Sequence, residues 1–326
     1  MKLEIFQMKK LLNRISSVLV NSLRGNPFVE KFLVLQGVSI SAQLLNRSLI
    51  SCLAEVEFSV FSQWGEDGII EWLIQKNGHM PETFIEFGVE DFRESNCRFL
   101  IMNRNWRGLV IDGNNKNIET IRADCISWKH DLSSICEFIT RENINSLIQS
   151  SGVSGEIGIL SIDIDGNDYW VWNSIDCIRP HFVIVEYNTV FGDLEPITVP
   201  YRDDFNRTKA HSSNLYYGAS IMAFCALAAQ KGYTLLGSNR AGSNAFFVRN
   251  DRLSIFDGLI RDKTARPSRF REGRDIAGNL SLIRGLDRAD IIKHMPIVDV
   301  QSGEKKDLNQ IDNLFSQEWA HLIQGR

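Results

Sequence analysis

The sequence predicts an α/β fold: a mostly parallel, seven-stranded sheet with an antiparallel last strand, covered by helices. Strand and helix patterns alternate from residue 66 to residue 188, which is typical of parallel strands with right-handed crossovers. Two apolar runs, 160–172 and 182–188, carry carboxylates where their strands end, and such strand ends face the ligand in open α/β sheets. A hairpin signal at 239–242 then predicts that the last strand runs antiparallel.

The first elements follow from the spacing of apolar residues. Residues 66–76 are expected to form a helix because isoleucine, leucine and tryptophan share one side of it. The apolar runs 83–88 and 108–112 predict the first two strands, with a helix over 94–103 between them. The chain therefore enters a strand–helix–strand unit after about residue 80.

The middle of the chain continues the alternation. We expect a helix over 115–123, a short third strand over 126–129 and a mostly helical stretch over 132–149. A fourth strand is predicted over 157–165, followed by a short helix over 170–177. The expected order keeps successive strands parallel.

The last part of the alternation is less regular. The fifth strand is predicted at 182–188, and residues 189–213 are expected to form a long irregular segment of the kind that is often functional. A helix follows over 220–231, and then two strands, 233–238 and 244–251, join through the hairpin. Five strand–helix units closed by an antiparallel hairpin are the order of a Rossmann-like class I methyltransferase.

The bulk composition restricts the class of protein further. The 326 residues suffice for one large domain with appendages, and the net charge of −4 argues against a nucleic-acid partner. The six cysteines form no CxxC pair and no export signal is apparent, so we expect reduced thiols in a cytoplasmic protein. The longest uncharged run near the start, 32–46, is too short and too polar to span a bilayer, which needs about 20 apolar residues.

Residues 1–57 are expected to form a helical N-terminal extension. Their first 25 residues have a basic amphipathic pattern, which is typical of a peripheral membrane contact. The other reading is a helix that covers its own domain or forms a homo-oligomer, because most amphipathic helices bury their apolar side. Both readings stay open at this point.

Four short motifs lie between residues 62 and 168. They are SQWGED at 62–67, FIEFGVEDFRESN at 84–96, VIDGN at 110–114 and SIDIDGND at 161–168. Together they resemble a known family, the FkbM-type S-adenosylmethionine-dependent methyltransferases. Enzymes of that family are usually O-methyltransferases that act on sugars and other secondary metabolites. The resemblance covers about residues 58–250 and leaves a C-terminal extension with a basic loop at 251–326.

The resemblance implies a set of residues that hold S-adenosylmethionine. The first strand must deliver a carboxylate and a tight turn, so that backbone N–H groups at a helix start reach the ligand. An acid at the end of the second strand accepts bonds from the ribose hydroxyls, and Asp112 follows Gly88 by 24 residues, close to the roughly 20 expected. Asp131 is placed to meet the adenine amine, and Ser95 and Asn96 to cap the helix that faces the methionine end. The predicted cofactor-binding residues are Glu86, Gly88, Ser95, Asn96, Asp112, Asp131 and Asp163.

One feature departs from the family pattern. The glycine-rich turn would carry further glycines near positions 90 and 92, where this chain has Glu90 and Phe92. A bulky turn admits the cofactor less closely, because only glycine lets the backbone approach a ligand without a side chain. This departure favours an alternative function, a non-catalytic Rossmann-like binding module that has lost methyl transfer.

A cluster of acids follows the fourth and fifth strands. Asp165, Glu186 and Asn188 are similar to the arrangement of the metal-dependent O-methyltransferases, and such oxygen ligands suit Mg²⁺. A bound ion would lower the pKa of a substrate hydroxyl. Without a metal, Asp165 or Glu186 would act as general base. A third reading is a hydrogen-bonded network that only holds loops together.

Two further features bear on the substrate. His211 lies in a polar and aromatic segment after the fifth strand, where it would act as a base or serve a structural role. Residues 261–274 hold six basic and two acidic residues, which fits a clamp for a phosphorylated or otherwise anionic substrate. The other reading of that loop is a solvated segment that pairs with the acidic cleft.

The sequence thus predicts a cytoplasmic O-methyltransferase that transfers a methyl group from S-adenosylmethionine to a hydroxyl of a sugar or glycan. Alignment of the acceptor and its deprotonation would supply most of the catalysis. The predicted catalytic residues are Asp165, Glu186 and His211, and the predicted metal ligands are Asp165, Glu186 and Asn188.

Overall fold

The computed structural model of the chain describes residues 26–324. Ten strands form two sheets in this part of the chain. The strands are β1 (Thr83–Phe87), β2 (Arg107–Asp112), β3 (Leu132–Cys136), β4 (Gly155–Ile162), β5 (Ile178–Glu186), β6 (Ile197–Thr198), β7 (Tyr233–Ser238), β8 (Asn244–Arg249), β9 (Pro296–Asp299) and β10 (Lys305–Asp307).

The main sheet has seven strands in the order β3-β2-β1-β4-β5-β8-β7. The first five strands run parallel, while β8 is antiparallel to both β5 and β7. The predicted Rossmann-like class I methyltransferase fold, with its antiparallel last strand, is therefore confirmed. The strand order reverses at β1, which has β2 on one side and β4 on the other, so a crevice opens at the carboxyl ends of these strands.

Helices cover both faces of the main sheet. Alternate residues of each buried strand point to opposite faces, so each strand contributes apolar side chains to two layers. Ile85 and Leu109 belong to one apolar layer, and Phe84 and Val110 to the other. The α-helices are Pro27–Leu44, Glu66–Asn77, Arg98–Arg104, Asn115–Ala123, Ile126–Lys129, Ile144–Ser150, Asp168–Ser174, Arg207–Ala210, Ile221–Lys231, Leu253–Phe256, Asp287–Ile291 and Gln317–Gln324.

The prediction was wrong for the region around the third strand. Residues 126–129, predicted as a strand, form a short helix whose first N–H donates to Asp124 Oδ1 at 3.0 Å. The third strand is Leu132–Cys136, inside the stretch predicted to be mostly helical, and a helix follows only at Ile144–Ser150. β3 is an edge strand that pairs only with β2 among the described residues and is only half-buried, so its apolar pattern is weak.

The N-terminal extension contributes the helix Pro27–Leu44. Ser41 Oγ donates to Glu71 Oε2 at 2.7 Å, which ties this helix to Glu66–Asn77. Its outer side exposes Phe28 and Phe32. The basic amphipathic segment 1–25 lies outside the described residues, so its predicted contacts with a membrane or a second copy remain predictions. Among residues 26–324, no helix combines the length and the apolar character needed to cross a bilayer.

A small second sheet joins the irregular segment after β5 to the C-terminal extension. Its strand order is β10-β9-β6, with β6 antiparallel to β9. A separate apolar cluster, which includes Phe191, Phe205 and Ile297, lies beneath it. The C-terminal extension thus packs on residues that follow β5 and helps to wall the crevice.

Candidate functional site

A cavity of about 740 Å³ lies at the carboxyl ends of β1, β2, β4 and β5, where the strand order reverses. We call it the cleft. Ligand sites of this size are usual for small molecules and cofactors. Two arginines, Arg207 and Arg271, stand among its described lining residues. The carboxylates that line the cleft are Glu86, Glu90, Glu94, Asp112, Glu137, Asp163, Asp165, Glu186 and Glu272.

The turn after β1 keeps its shape without the usual glycines. Gly88 has a φ of 70°, and a Cβ at this position would stand 1.6 Å from the carbonyl oxygen of Asp163, so only glycine fits. Glu90 and Phe92 also have positive φ angles, 48° and 61°. They adopt the left-handed conformation that glycine adopts easily and other residues rarely do.

The bulk of Phe92 does not enter the cleft. Its ring is fully buried and stacks on Phe84 with a centroid separation of 6.4 Å, while Arg98 Nη1 donates to the Phe92 carbonyl at 3.1 Å. The expectation that both side chains obstruct the turn was therefore wrong for Phe92. Glu90 does line the cleft, where it adds a carboxylate.

Glu86 organises the start of the next helix. Its carboxylate accepts from Ser95 Oγ at 2.6 Å, from the Asn96 N–H at 2.8 Å and from the Cys97 N–H at 3.0 Å. These bonds explain why the helix predicted over 94–103 begins only at Arg98. Burial raises the pKa of Glu86, against the effect of these donors. Glu86, Ser95 and Asn96 all line the cleft, and their contacts with the cofactor stay a prediction.

Asp112 ends β2 and binds both loops that border it. Its Oδ2 accepts from the Glu90 N–H at 2.9 Å, and its Oδ1 accepts from the Asn114 N–H at 2.8 Å and from Asn117 Nδ2 at 3.1 Å. A carboxylate has about four acceptor positions, so Oδ2 retains capacity for a ligand hydroxyl. Asp112 lines the cleft, and its contact with a ribose stays a prediction.

Asp131 does not reach the cleft. Because the third strand begins at Leu132, Asp131 precedes that strand and lies at the amino edge of the sheet, where it is 3.7 Å from Arg107 Nε. The predicted adenine contact is thus wrong in its geometry. Glu137 and Phe138 follow the strand instead and line the cleft. The misplaced third strand is the cause of this error.

Asp163, Asp165 and Glu186 converge where β4 and β5 end. Oxygen atoms from the three carboxylates lie within 4.8 Å of one another. Burial, and then the negative charge of their neighbours, raises the pKa of Asp163 and of Glu186 well above the usual range. The Tyr217 hydroxyl lies 3.5 Å from Glu186 Oε1. Such a pair binds a proton more tightly than an isolated carboxylate.

Arg207 supplies a positive charge beside this cluster. Its Nη1 donates to Asp165 at 2.6 Å, its Nη2 lies 2.8 Å from Glu272, and its guanidinium stacks 3.7 Å from the centre of the Tyr217 ring. The residue comes from the irregular segment predicted to be functional. It is the counter-charge that an acidic cluster requires.

Two predicted residues have local structural roles. Asn188 is buried, and its amide donates to the carbonyls of Leu215 and Tyr217 while its Oδ1 accepts from the Val190 N–H. Its side chain is thus occupied, so the prediction of Asn188 as a metal ligand was wrong, and Asp163 takes that place in the cluster. His211 Nδ1 lies 2.8 Å from Ser213 Oγ in a turn outside the cleft lining.

The SQWGED motif holds Gln63 and Trp64 at the cleft. Asp67 Oδ2 accepts from three backbone N–H groups at 60–62, and Glu66 Oε2 accepts from those of Trp64 and Gly65 at 3.0 Å each. Burial raises the pKa of Asp67 to about 7. The sequence analysis used this motif only for the family resemblance. In the structure, its two carboxylates accept backbone N–H groups and thereby fix the shape of the loop.

The basic stretch 261–274 is divided between several environments. Arg266 lies 3.6 Å from Asp262, and Lys263 lies 3.1 Å from Asp257. Arg271 lines the cleft, and Arg274 lines an adjoining cavity of about 500 Å³ that shares Asp165 and Arg207 with it. Of the six basic residues predicted as an anion clamp, Arg271 lines the cleft and Arg274 lines the adjoining cavity, each beside carboxylates.

No family model and no curated protein matches the chain. Among solved structures, an O-methyltransferase from Bacillus cereus in complex with SAH is 12% identical, with a TM-score of 0.37, over 66% of this chain and 88% of that one. A putative O-methyltransferase from Klebsiella pneumoniae is 10% identical, with a TM-score of 0.36, over 72% and 96%. An S-adenosylmethionine-dependent methyltransferase from Clostridium acetobutylicum is 8% identical, with a TM-score of 0.34, over 56% and 90%. Identities this low leave the role of each residue to the geometry of this chain.

Proposed function

We propose that this protein is an S-adenosylmethionine-dependent O-methyltransferase that acts on a hydroxyl of a sugar or glycan. The observation that carries the proposal is the cleft itself. It lies at the reversal point of a class I methyltransferase sheet, and nine carboxylates line it beside two arginines among the described residues. A negative, partly desolvated cleft favours a cationic ligand over a neutral or anionic one.

The residues present fit S-adenosylmethionine. Asp112 keeps a free acceptor position for a ribose hydroxyl, and Glu86 lies at the turn where a ligand amine would donate. Asn167 Oδ1 and Asn244 Oδ1 are buried and have no hydrogen-bond partner among the described residues, although both side chains line the cleft. Unpaired buried acceptors of this kind are satisfied when a ligand donates to them.

Glu186 is the proposed general base. When bound, S-adenosylmethionine supplies an electrophilic methyl group, which an acceptor oxygen takes as S-adenosylhomocysteine is left behind. Glu186 receives the hydroxyl proton, and its raised pKa makes it a stronger base than an exposed carboxylate. Asp163 maintains that raised pKa through its own charge, and Arg207 orients Asp165 at the rim of the cluster.

A magnesium-assisted reaction is a second candidate, because Asp163, Asp165 and Glu186 offer three oxygen ligands within 4.8 Å. Arg207 already pairs with Asp165 and neutralises part of the cluster. We therefore favour the metal-free reaction. The alternative of a non-catalytic binding module was favoured by the missing glycines at positions 90 and 92. Glu90 and Phe92 adopt positive φ angles as glycines would, so we do not favour that alternative.

The experiment is methyl transfer from labelled S-adenosylmethionine to a panel of glycosides, with EDTA in one arm and added Mg²⁺ in another. We expect transfer that EDTA does not abolish, and a fall of about a hundred-fold in kcat for Glu186→Gln. Loss of transfer in EDTA and its return with Mg²⁺ would establish the metal-assisted reaction. Binding of the cofactor without transfer to any acceptor would support the binding module.

A further inference from the structure

Four aromatic residues line the cleft, and two of them, Trp64 and Phe270, stack on each other. Trp64 and Phe270 stack with a centroid separation of 5.9 Å and an interplanar angle of 16°, and both line the cleft. Trp64 keeps 43% of its surface exposed, which is unusual for so large an apolar side chain. Stacked rings at the wall of a ligand site are a flat apolar surface on which a ring can lie.

This platform is held at a fixed place relative to the carboxylates. The backbone N–H groups of Trp64 and Gly65 both donate to Glu66 Oε2, and Glu66 is fully buried. The other oxygen of Glu66 accepts from Asn239 Nδ2 at 2.6 Å and from Asn244 Nδ2 at 2.9 Å. One buried carboxylate therefore ties the loop that carries Trp64 to the amino end of β8.

Asn244 places an acceptor atom beside the proposed base. It pairs directly with Glu186 across the antiparallel β5–β8 ladder, so the two side chains point to the same face of the sheet. Asn244 is 6% exposed and lines the cleft, and its Oδ1 is buried without a hydrogen-bond donor in the described part of the chain. A buried amide oxygen in this state is satisfied by a ligand O–H or N–H.

We infer that Trp64, Phe270 and Asn244 form the acceptor subsite, and that its ligand is a neutral, hydroxyl-bearing saturated ring such as a pyranoside. The apolar C–H face of the ring lies on the aromatic platform, one hydroxyl donates to Asn244 Oδ1, and a neighbouring hydroxyl reaches Glu186. The carboxylates of the cleft repel a phosphorylated or carboxylated acceptor. This inference rests on the proposed function, because it assigns the methyl acceptor of the same site.

The test is saturation-transfer NMR on the full chain with S-adenosylhomocysteine present. The probes are methyl glucoside, the acyclic polyol sorbitol, glucose 6-phosphate and catechol. We expect methyl glucoside to give the strongest signal, since it alone combines a ring face, several hydroxyls and no charge. Stronger binding of catechol or glucose 6-phosphate, or no binding of any probe, would overturn the inference.

Matched variants separate the subsite from the cofactor site. Trp64→Ala should weaken glycoside binding roughly ten-fold, and Trp64→Phe should retain most of it, because a ring remains to stack. Trp128→Ala is the control, since Trp128 is 76% exposed and lies outside the cleft lining. Cofactor affinity, measured by calorimetry, should stay the same in all three variants. Unchanged glycoside binding in Trp64→Ala would overturn the subsite alone. A wild-type protein that binds no cofactor would overturn the proposed function.

Discussion

Asp163 follows β4 and Glu186 ends the neighbouring parallel strand β5, and the carboxylate of Asp163 raises the pKa of Glu186. Burial is the largest cause of the raised pKa for both groups. The charge of Asp163 comes next for Glu186, whereas the charges of Asp165 and Asp168 come next for Asp163. β4 and β5 bring them together because Ile162 pairs with Val185, so the next residue of each strand reaches the same sheet edge. The pair is the strongest proton acceptor that we identify at the cleft.

The pH dependence of activity should report this pair. The base must be unprotonated, so kcat/KM should fall as the pH drops through the raised pKa, above the ordinary range of about 4 for a carboxyl group. Asp163→Asn removes the neighbouring charge, lowers the pKa of Glu186 and should move this acid limb to lower pH. Asp204→Asn, at an exposed position, is the control. An acid limb that stays in place in Asp163→Asn would contradict the coupling.

Gly88→Ala should unfold the turn after β1. The new Cβ would meet the carbonyl oxygen of Asp163 at 1.6 Å, and this contact is to backbone that cannot move without shifting β4. We expect a loss of about 3 kcal/mol or more in the free energy of unfolding. Gly232→Ala is the matched control, because φ there is also positive, at 81°, and no described atom lies within 4 Å. Its loss should be about 1 kcal/mol, and equal losses in urea unfolding would refute the clash.

Glycine at position 90 and glycine at position 92 should have opposite effects. Glu90→Gly relieves a left-handed backbone on a partly exposed residue, so stability should change by less than about 1 kcal/mol and tend upward. Phe92→Gly relieves the same strain but removes a fully buried ring, which should cost about 3 kcal/mol. Thermal unfolding of both variants measures the difference. A stabilised Phe92→Gly protein would show that the ring does not anchor the turn.

Arg207→Met should make the protein responsive to magnesium. Without the guanidinium, Asp163, Asp165 and Glu186 lack their nearest positive charge, so we expect a lower Tm. Mg²⁺ should raise the Tm of this variant, because an ion that binds only the folded state stabilises it. Arg202→Met, which loses an exposed pair with Asp204, is the control. An equal rise in the wild type would favour a resident metal instead.

Much of the fold was predictable because its buried strands are uninterrupted apolar runs. The helix Asn115–Ala123 and the strand Tyr233–Ser238 have the predicted bounds. Leu132–Cys136 was missed because an edge strand with two serines has no clear period, and a helical pattern was assigned in its place. Because of that single error, Asp131 was predicted to lie at the cleft, whereas it lies at the amino edge of the sheet.

The site was predictable only where strand ends determine it. Asp163, Asp165 and Glu186 meet because parallel strands end at one edge, a rule that needs no side-chain detail. Trp64 and Phe270 reach the cleft from irregular segments, and Arg207 from a one-turn helix. Residues 64 and 270 are about two hundred positions apart, so no local pattern links them. Asn188 was misassigned because the turns that occupy its amide involve residues about thirty positions away.

Calorimetric titration of the full chain with S-adenosylmethionine and S-adenosylhomocysteine tests the central claim most directly. We predict micromolar binding of both, tighter for the sulfonium because of the acidic cleft, and a loss of at least roughly ten-fold in Asp112→Asn, whose side chain lies at the cleft. Asp131→Asn, at the opposite edge of the sheet, should bind as the wild type does. No heat with either ligand, or a loss in Asp131→Asn but not in Asp112→Asn, would contradict the account.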